Sequence, residues 1–162
     1  MKPSKKIVKS KFNYYYLIPI VIIILIAIIF LFTLSTKTEQ NNDPWYWYNK
    51  GVDLANEGNY QEALQATDKA LAINQTFPLA NANKAGILVM LGRYDEAIVA
   101  ADLALSTKGN LTTTYSIAYY NKGDALRHLG RIDEARLAFS KAQELDPTLI
   151  PPNLNITPYL NL

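Results

Sequence analysis

The sequence predicts an all-α protein in which one apolar helix near the amino end precedes a solenoid of three helix pairs. Three segments between Pro44 and Leu149 are nearly alike: YNKGVDLANEGNYQEALQATDKAL, ANKAGILVMLGRYDEAIVAADLAL and YNKGDALRHLGRIDEARLAFSKAQ. A repeat of this length is typical of helical units that stack and bury their apolar faces on their neighbours. Within the first unit, Trp47, Gly51 and Leu54 follow the i, i+4, i+7 spacing of one helix face.

The predicted organisation has five kinds of segment. They are a basic tail (1–13), a transmembrane helix (14–34), a linker (35–43), three repeats (44–77, 78–111 and 116–149) and a Pro-rich extended tail (150–162). Gly58, Gly92 and Gly130 follow the first helix of each repeat, where a left-handed residue ends a helix. Four extra residues within KGNLTTTY, between the second and third repeats, predict either a longer loop or an added turn on the next helix.

The repeats carry a recognisable set of packing residues. The large, small, leucine, glycine, aromatic and alanine positions, closed by Asp146-Pro147, resemble the signature of the tetratricopeptide-repeat family; in the first repeat they are Trp47, Gly51, Leu54, Gly58, Tyr60, Ala63 and Ala70. The resemblance implies a fold and leaves the ligand open, because this family is defined by packing and not by what it binds. Lys50, Lys84 and Lys122 depart from it by standing where leucine is usual, and we expect their stems to lie along the helix.

The amino end predicts one membrane span. Residues 17–34 (LIPIVIIILIAIIFLFTL) carry no charge, and as a helix they would extend about 27 Å, close to the hydrocarbon thickness of a bilayer. Five lysines and no acidic residue precede them, so the amino end is expected in the cytoplasm and the repeats on the far side. The alternative is a cleaved secretory signal, but the apolar run is long and no small-x-small site follows it. We therefore expect an uncleaved signal anchor.

Charge is segregated along the chain. Residues 44–162 hold ten Lys or Arg and twelve Asp or Glu, while the basic excess lies at the amino end. A nucleic-acid partner is not expected, since the repeats lack the basic footprint that such binding requires.

The family resemblance implies that the first helices line a concave peptide-binding groove. Its predicted residues are Trp45, Tyr48, Asn49, Val52, Asn83, Met90, Tyr120, Asn121, Asp124 and Arg127. Asn49, Asn83 and Asn121 recur at one offset, so three amides could contact the backbone of an extended peptide. The alternative is that Asn is simply common at this offset and caps neighbouring turns. Trp47 and Tyr119, one step round each helix, are predicted to be buried.

Chaperone-binding members of the family hold a terminal carboxylate in a basic clamp. Those clamp positions would fall here at Tyr48, Val52, Ile117 and Asn121, none of which is basic. Apart from Asn83, the clamp is absent, so a chaperone-tail receptor is not expected.

Catalysis is not expected either. His128 is the only histidine, there is no cysteine, and there is no glycine-rich phosphate loop or metal-spaced cluster. We predict no catalytic, cofactor or metal site. The sequence instead favours a membrane-anchored protein-interaction scaffold; the alternative is a structural or assembly subunit of a membrane or cell-envelope complex.

The array is predicted to end after three repeats. Arg136 and Gln143 stand where Ile98 and Leu105 stand in the second repeat, so α-helical stacking should leave that last face in water. The tail that follows is expected to be either a loose end or an extended strap over Leu137 and Phe139.

Overall fold

The computed structural model describes residues 17–152, with residues 34–41 described by their backbone alone. Seven helices lie within this range: α1 (Leu17–Asn41), α2 (Pro44–Asn56), α3 (Tyr60–Ile73), α4 (Pro78–Met90), α5 (Tyr94–Ser106), α6 (Thr112–His128) and α7 (Ile132–Leu145). The chain divides after Gln40 into two compact units, and the second contains α2 to α7. The predicted basic tail and residues 153–162 of the predicted Pro-rich tail lie outside the described residues.

The first unit contains an apolar helix. The side chains of α1 from Leu17 to Thr33 are exposed, and Ile23 and Phe32 show 65% and 69% of their surface. Within the part of the chain that the structure describes, no helix combines the length and apolar character needed to cross a membrane. The transmembrane helix stays a prediction from the sequence.

The segment predicted as a linker is mostly helical. The backbone of α1 continues through Asn41, because residues 35–43 contain no proline or glycine to end it. The helical path breaks only at Asn42 and Asp43. The Asp43 carboxylate then accepts a hydrogen bond from the Trp45 backbone N–H at 2.9 Å and caps α2, which begins with Pro44.

The second unit is the predicted helical solenoid of three pairs. Helices α2 and α3, α4 and α5, and α6 and α7 pack as antiparallel pairs, and each pair packs on the next. Gly92 shows how a pair turns: its φ of +72° allows the Arg93 N–H to donate to the Leu88 carbonyl at 2.9 Å. Gly58 and Gly130 have φ of +82° and +74° at the same place. The predicted role of these glycines is confirmed.

Small residues allow the helices to approach closely. The alanines that recur at two offsets in the second helices are all fully buried: Ala63, Ala97, Ala135, Ala70, Ala104 and Ala142. At Gly123, an added Cβ would lie 2.9 Å from Cδ1 of Phe139, so the Phe139 ring occupies the space that the glycine leaves. The core of the array therefore depends on side-chain size at the crossings.

The four extra residues lengthen a helix. Helix α6 has 17 residues, whereas α2 and α4 each have 13, so the added-turn alternative is the one observed. The Tyr115 hydroxyl donates to the Thr107 carbonyl and ties this added turn to the end of the preceding repeat.

Two lysines link successive repeats. Lys84 Nζ lies 2.7 Å from an Asp68 carboxylate oxygen, and Lys122 Nζ lies 2.5 Å from an Asp102 carboxylate oxygen. In both pairs the lysine is on the first helix of one repeat and the aspartate is on the second helix of the repeat before it. The two lysines therefore form ion pairs between repeats in addition to keeping their charge in water. Because the pairs are partly exposed, each contributes about 1 kcal/mol or less to stability.

The last helix presents a solvent-facing side. Arg136 and Gln143 are exposed, as predicted, and Arg136 pairs with Asp133 at 2.9 Å. Leu137 remains 63% exposed, so the described residues 150–152 do not form the strap that was one of the two alternatives for the tail. Phe139 is buried because it faces α6.

Candidate functional site

A cleft of about 390 Å³ runs along the first helices of the three pairs. We call it the inner cleft. Helices α2, α4 and α6 supply its walls, with one residue from the start of α3; its lining residues are Ala55, Asn56, Tyr60, Asn83, Gly86, Ile87, Val89, Met90, Tyr120, Asn121 and Asp124. Because all three repeats contribute, the cleft exists only when the pairs are stacked.

The inner cleft gathers half of the predicted groove residues. Asn83, Met90, Tyr120, Asn121 and Asp124 line it. The other five, Trp45, Tyr48, Asn49, Val52 and Arg127, are not among its lining residues. Six further lining residues lie outside the ten predicted groove residues: Ala55, Asn56, Tyr60, Gly86, Ile87 and Val89. Tyr60 was assigned to the packing face of the second helix, and its position at the turn between α2 and α3 lets it reach the cleft as well.

The first-repeat aromatics form a packed cluster around Phe77. Trp45 and Phe77 have ring centroids 4.6 Å apart, and Tyr48 and Phe77 are 5.4 Å apart. Phe77 is 5% exposed, Tyr48 is half-buried, and Trp45 is 52% exposed. Burial raises the pKa of the Tyr48 hydroxyl. Tyr48 is therefore less open than predicted, because Phe77, the last residue of the first repeat, packs against its ring.

The two rings predicted to be buried, Trp47 and Tyr119, are half-buried. Lys69 Nζ lies 4.2 Å from the Trp47 ring centroid and Lys50 Nζ lies 5.3 Å from it, so two cations screen the indole from water. Tyr120, the neighbour of Tyr119, packs edge-on against Phe139 at 5.3 Å while contributing to the inner cleft.

The three recurring asparagines have three different environments. Asn121 Nδ2 donates to the Ala82 carbonyl at 2.9 Å, so this amide joins α6 to α4. Asn83 lines the cleft, and its Nδ2 is buried with no hydrogen-bond partner among the described residues. Asn49 is exposed. The three amides are therefore not equivalent, and Asn83 is the one whose Nδ2 donor is unused among the described residues.

The inner cleft carries little charge. Asp124 is its only charged lining residue, and Arg127 Nη2 lies 2.6 Å from the Asp124 carboxylate. His128 Nε2 is 3.9 Å from the same carboxylate, and the His128 ring stacks on Tyr94 with centroids 4.6 Å apart. Such a cleft suits an uncharged ligand, since no lysine or arginine side chain lines it to neutralise an anion.

No metal site accompanies the cleft in the described range. There, no group of three or more His, Cys, Asp or Glu side chains is arranged to hold a metal ion. What the cleft offers is apolar surface from the exposed Met90 and the half-buried Ala55 and Tyr120, together with amide and hydroxyl groups; Ile87 and Val89 line it but are only 2% and 8% exposed. This combination is typical of a binding surface for an extended polypeptide.

Comparison with known proteins agrees with this geometry. The family model for the tetratricopeptide repeat matches residues 44–77 and 116–149. An uncharacterized protein of Methanocaldococcus jannaschii is 39% identical over 67 residues, which are 41% of this chain and 78% of that protein.

Solved structures with a similar fold include three helical-repeat domains. The first TPR domain of RPAP3 bound to the HSP90 peptide SRMEEVD is 24% identical with a TM-score of 0.60, covering 67% of this chain and 82% of that one. The second TPR domain of human RPAP3, in complex with the HSP70 peptide SGPTIEEVD, is 25% identical with a TM-score of 0.55, covering 65% and 88%. MamA from Desulfovibrio magneticus RS-1 is 29% identical with a TM-score of 0.56, covering 65% and 58%.

Proposed function

We propose that the repeats, two of which match the tetratricopeptide-repeat family model, bind a partner protein by holding an extended segment of it in the inner cleft. The observation that carries this proposal is the unpartnered Nδ2 of Asn83 in a cleft with apolar walls. A buried amide donor without an acceptor is unfavourable by about 1–3 kcal/mol, so a ligand carbonyl that accepts from it gains affinity. Binding occurs without catalysis.

The charge of the inner cleft sets the class of partner. The peptides bound to RPAP3 in the two solved complexes, SRMEEVD and SGPTIEEVD, contain acidic side chains. The inner cleft has no basic lining residue and contains Asp124. The partner segment is accordingly uncharged, unlike those acidic chaperone tails.

Membrane attachment is the second part of the proposal. Its support is the sequence of α1, with eighteen uncharged residues from Leu17 to Leu34, and the five lysines that precede them. The chain is a single-pass signal-anchored protein with a cytoplasmic amino end and an extracytoplasmic repeat module. It acts there as a scaffold that recruits its partner to the membrane; the alternative is a fixed structural or assembly subunit of an envelope complex, which would use the same cleft.

The absence of cysteine allows a direct test of this topology. Single cysteines at Ser4 and at the exposed Gln143 can be labelled with a membrane-impermeant maleimide in intact cells. The Gln143→Cys chain should be labelled at once, and the Ser4→Cys chain only after permeabilisation. Labelling in the opposite order would reverse the orientation, and recovery of the Gln143→Cys chain in the medium would rule out the anchor.

The binding proposal is tested by photo-cross-linking in cells. A photoreactive phenylalanine derivative replaces Met90, which is 58% exposed in the inner cleft, or Leu137, which is 63% exposed outside it. We expect a discrete adduct at position 90 and none of the same mass at position 137. Equal adducts from both positions would place the binding surface elsewhere. Stoichiometric recovery of the same subunits would favour the structural-subunit alternative over a transient scaffold.

A further inference from the structure

The described chain ends at the rim of the inner cleft. Tyr120 lines the cleft, and its hydroxyl oxygen lies 3.5 Å from the carbonyl oxygen of Ile150. Pro151 and Pro152 are half-buried, although the Ile150 side chain is 81% exposed. The backbone that leads into residues 153–162 is therefore next to a wall of the cleft.

These residues match the cleft in chemistry. Their sequence, NLNITPYLNL, has no charged side chain and contains apolar residues separated by asparagines. The cleft likewise combines apolar walls with amides and has one charged residue, Asp124, that Arg127 already pairs. An uncharged segment enters such a site without leaving a buried charge unpaired.

The segment is also long enough. Ten extended residues reach about 33 Å, whereas two interaxial spacings across α2, α4 and α6 amount to about 20 Å. Pro151, Pro152 and Pro158 disfavour a helix, so backbone carbonyls stay available as acceptors. A rotation of the Asn83 amide would present its unused donor to one of these carbonyls.

We propose that residues 153–162 occupy the inner cleft of their own chain as an intramolecular ligand. Their apolar side chains lie on Met90 and Tyr120, and one of their carbonyls accepts from Asn83. A partner protein reaches the cleft by displacing this segment. Only a partner that binds the cleft more favourably than the segment does can therefore occupy it. This proposal rests on the proposed function of the cleft as a peptide-binding surface.

The test measures binding of a fluorescent peptide, NLNITPYLNL, to two forms of the protein in detergent. One is the full chain and the other ends after Pro152. Fluorescence polarisation should show the peptide binding to the shortened chain and binding at least tenfold more weakly to the full chain, whose cleft is filled. Equal affinities for the two forms, or no binding to the shortened form, would overturn the proposal.

Matched substitutions locate the binding. In the shortened chain, Met90→Glu should weaken peptide binding at least tenfold, while Val99→Glu on α5, at a residue 59% exposed and outside the cleft, should change it less than twofold. Equal losses for the two variants would contradict the assignment. Should the shortened chain unfold, the full chain carrying Ile156→Ser and Tyr159→Ser takes its place, with peptide affinity expected to rise at least fivefold above that of the unaltered full chain; an unchanged affinity would sink the proposal.

Two further outcomes separate related possibilities. Light scattering should give the same oligomeric state for both forms; an association of the full chain that is lost on shortening would mean that the segment occupies a second copy, which overturns the intramolecular arrangement. If the peptide fails to bind while position 90 still cross-links a partner, the intramolecular ligand is contradicted and the proposed function is supported. If the peptide binds but no partner is cross-linked, the intramolecular ligand is supported and the proposed function is contradicted.

Discussion

Asn121 on α6 donates through Nδ2 to the Ala82 carbonyl on α4, across a distance of 2.9 Å. Gly86 makes this approach possible, because a Cβ there would lie only 3.0 Å from that nitrogen. One repeat earlier, Val52 stands in the place of Gly86, and the corresponding amide, that of Asn83, has no partner among the described residues. At the interface between the second and third repeats Asn121 makes a hydrogen bond through Nδ2. At the interface between the first and second repeats Nδ2 of the corresponding asparagine, Asn83, makes none among the described residues.

This difference predicts unequal effects for one substitution at three equivalent positions. Asn121→Ala should destabilise the chain by about 1 kcal/mol through loss of a hydrogen bond, and Asn49→Ala, at an exposed residue, should change stability by less than about 0.5 kcal/mol. Asn83→Ala removes an unpartnered buried donor and should be neutral or stabilising. Urea unfolding of the three variants is the measurement. Equal losses at all three positions would contradict these environments.

The contact between Gly123 and Phe139 predicts sensitivity to a single methyl group. Gly123→Ala places a Cβ 2.9 Å from a ring that is 2% exposed, so overpacking should destabilise the chain by about 1–3 kcal/mol. Phe139→Leu made together with Gly123→Ala should recover part of this loss, since the smaller side chain makes room. A double-mutant cycle by thermal unfolding measures the coupling. Additive effects would show that the two residues do not compete for the same space.

The buried Phe77 ring predicts a large loss of stability when this residue is replaced. Phe77→Ala removes a side chain that packs against both Trp45 and Tyr48, and it should destabilise the chain by about 3–5 kcal/mol. Because Trp45 and Trp47 are the only tryptophans, their fluorescence should report local loosening before global unfolding. Leu137→Ala, at an exposed site, is the control. A Phe77→Ala chain as stable as this control would refute the cluster.

Repeated ion pairs predict a pH dependence of stability. Arg93 hydrogen-bonds to Glu96 and Arg131 to Glu134, and these contacts hold the pKa of each glutamate below its ordinary value of 4.5. A carboxylate with a lowered folded-state pKa contributes stability above its unfolded pKa and loses it as the pH falls through the folded value. Stability should therefore decline on acidification below about pH 4.5.

Glu→Gln variants test whether these two glutamates cause the decline in stability. Glu96→Gln with Glu134→Gln should flatten the profile below pH 4.5, whereas Glu144→Gln, at an exposed residue outside these pairs, should leave it unchanged. Denaturant midpoints measured from pH 3 to pH 7 give the profile. A double variant with an unaltered slope would assign the acid sensitivity to other carboxylates.

The parts of the fold that could be predicted from sequence are those fixed by local or repeated features. Gly92 ends a helix through its own backbone, and Ala97 and Ala104 recur at offsets that only a helix crossing explains. The distinct roles of Asn83 and Asn121 could not be predicted, because they depend on Val52 and Gly86 in neighbouring repeats. The same limit explains Tyr48, whose burial comes from Phe77 beyond its own helix pair. Side-chain contacts between repeats could therefore be identified only from the three-dimensional structure.

The affinity of the protein captured at position 90 tests the central claim most directly. The partner is titrated into the unaltered chain, the Met90→Glu chain and the Leu137→Glu chain, with thermal unfolding confirming that all three are folded. Binding in the inner cleft predicts at least a tenfold weaker Kd for Met90→Glu, which is about 1.4 kcal/mol, and less than a twofold change for Leu137→Glu. Equal affinities for the two folded variants would show that the inner cleft does not bind the partner.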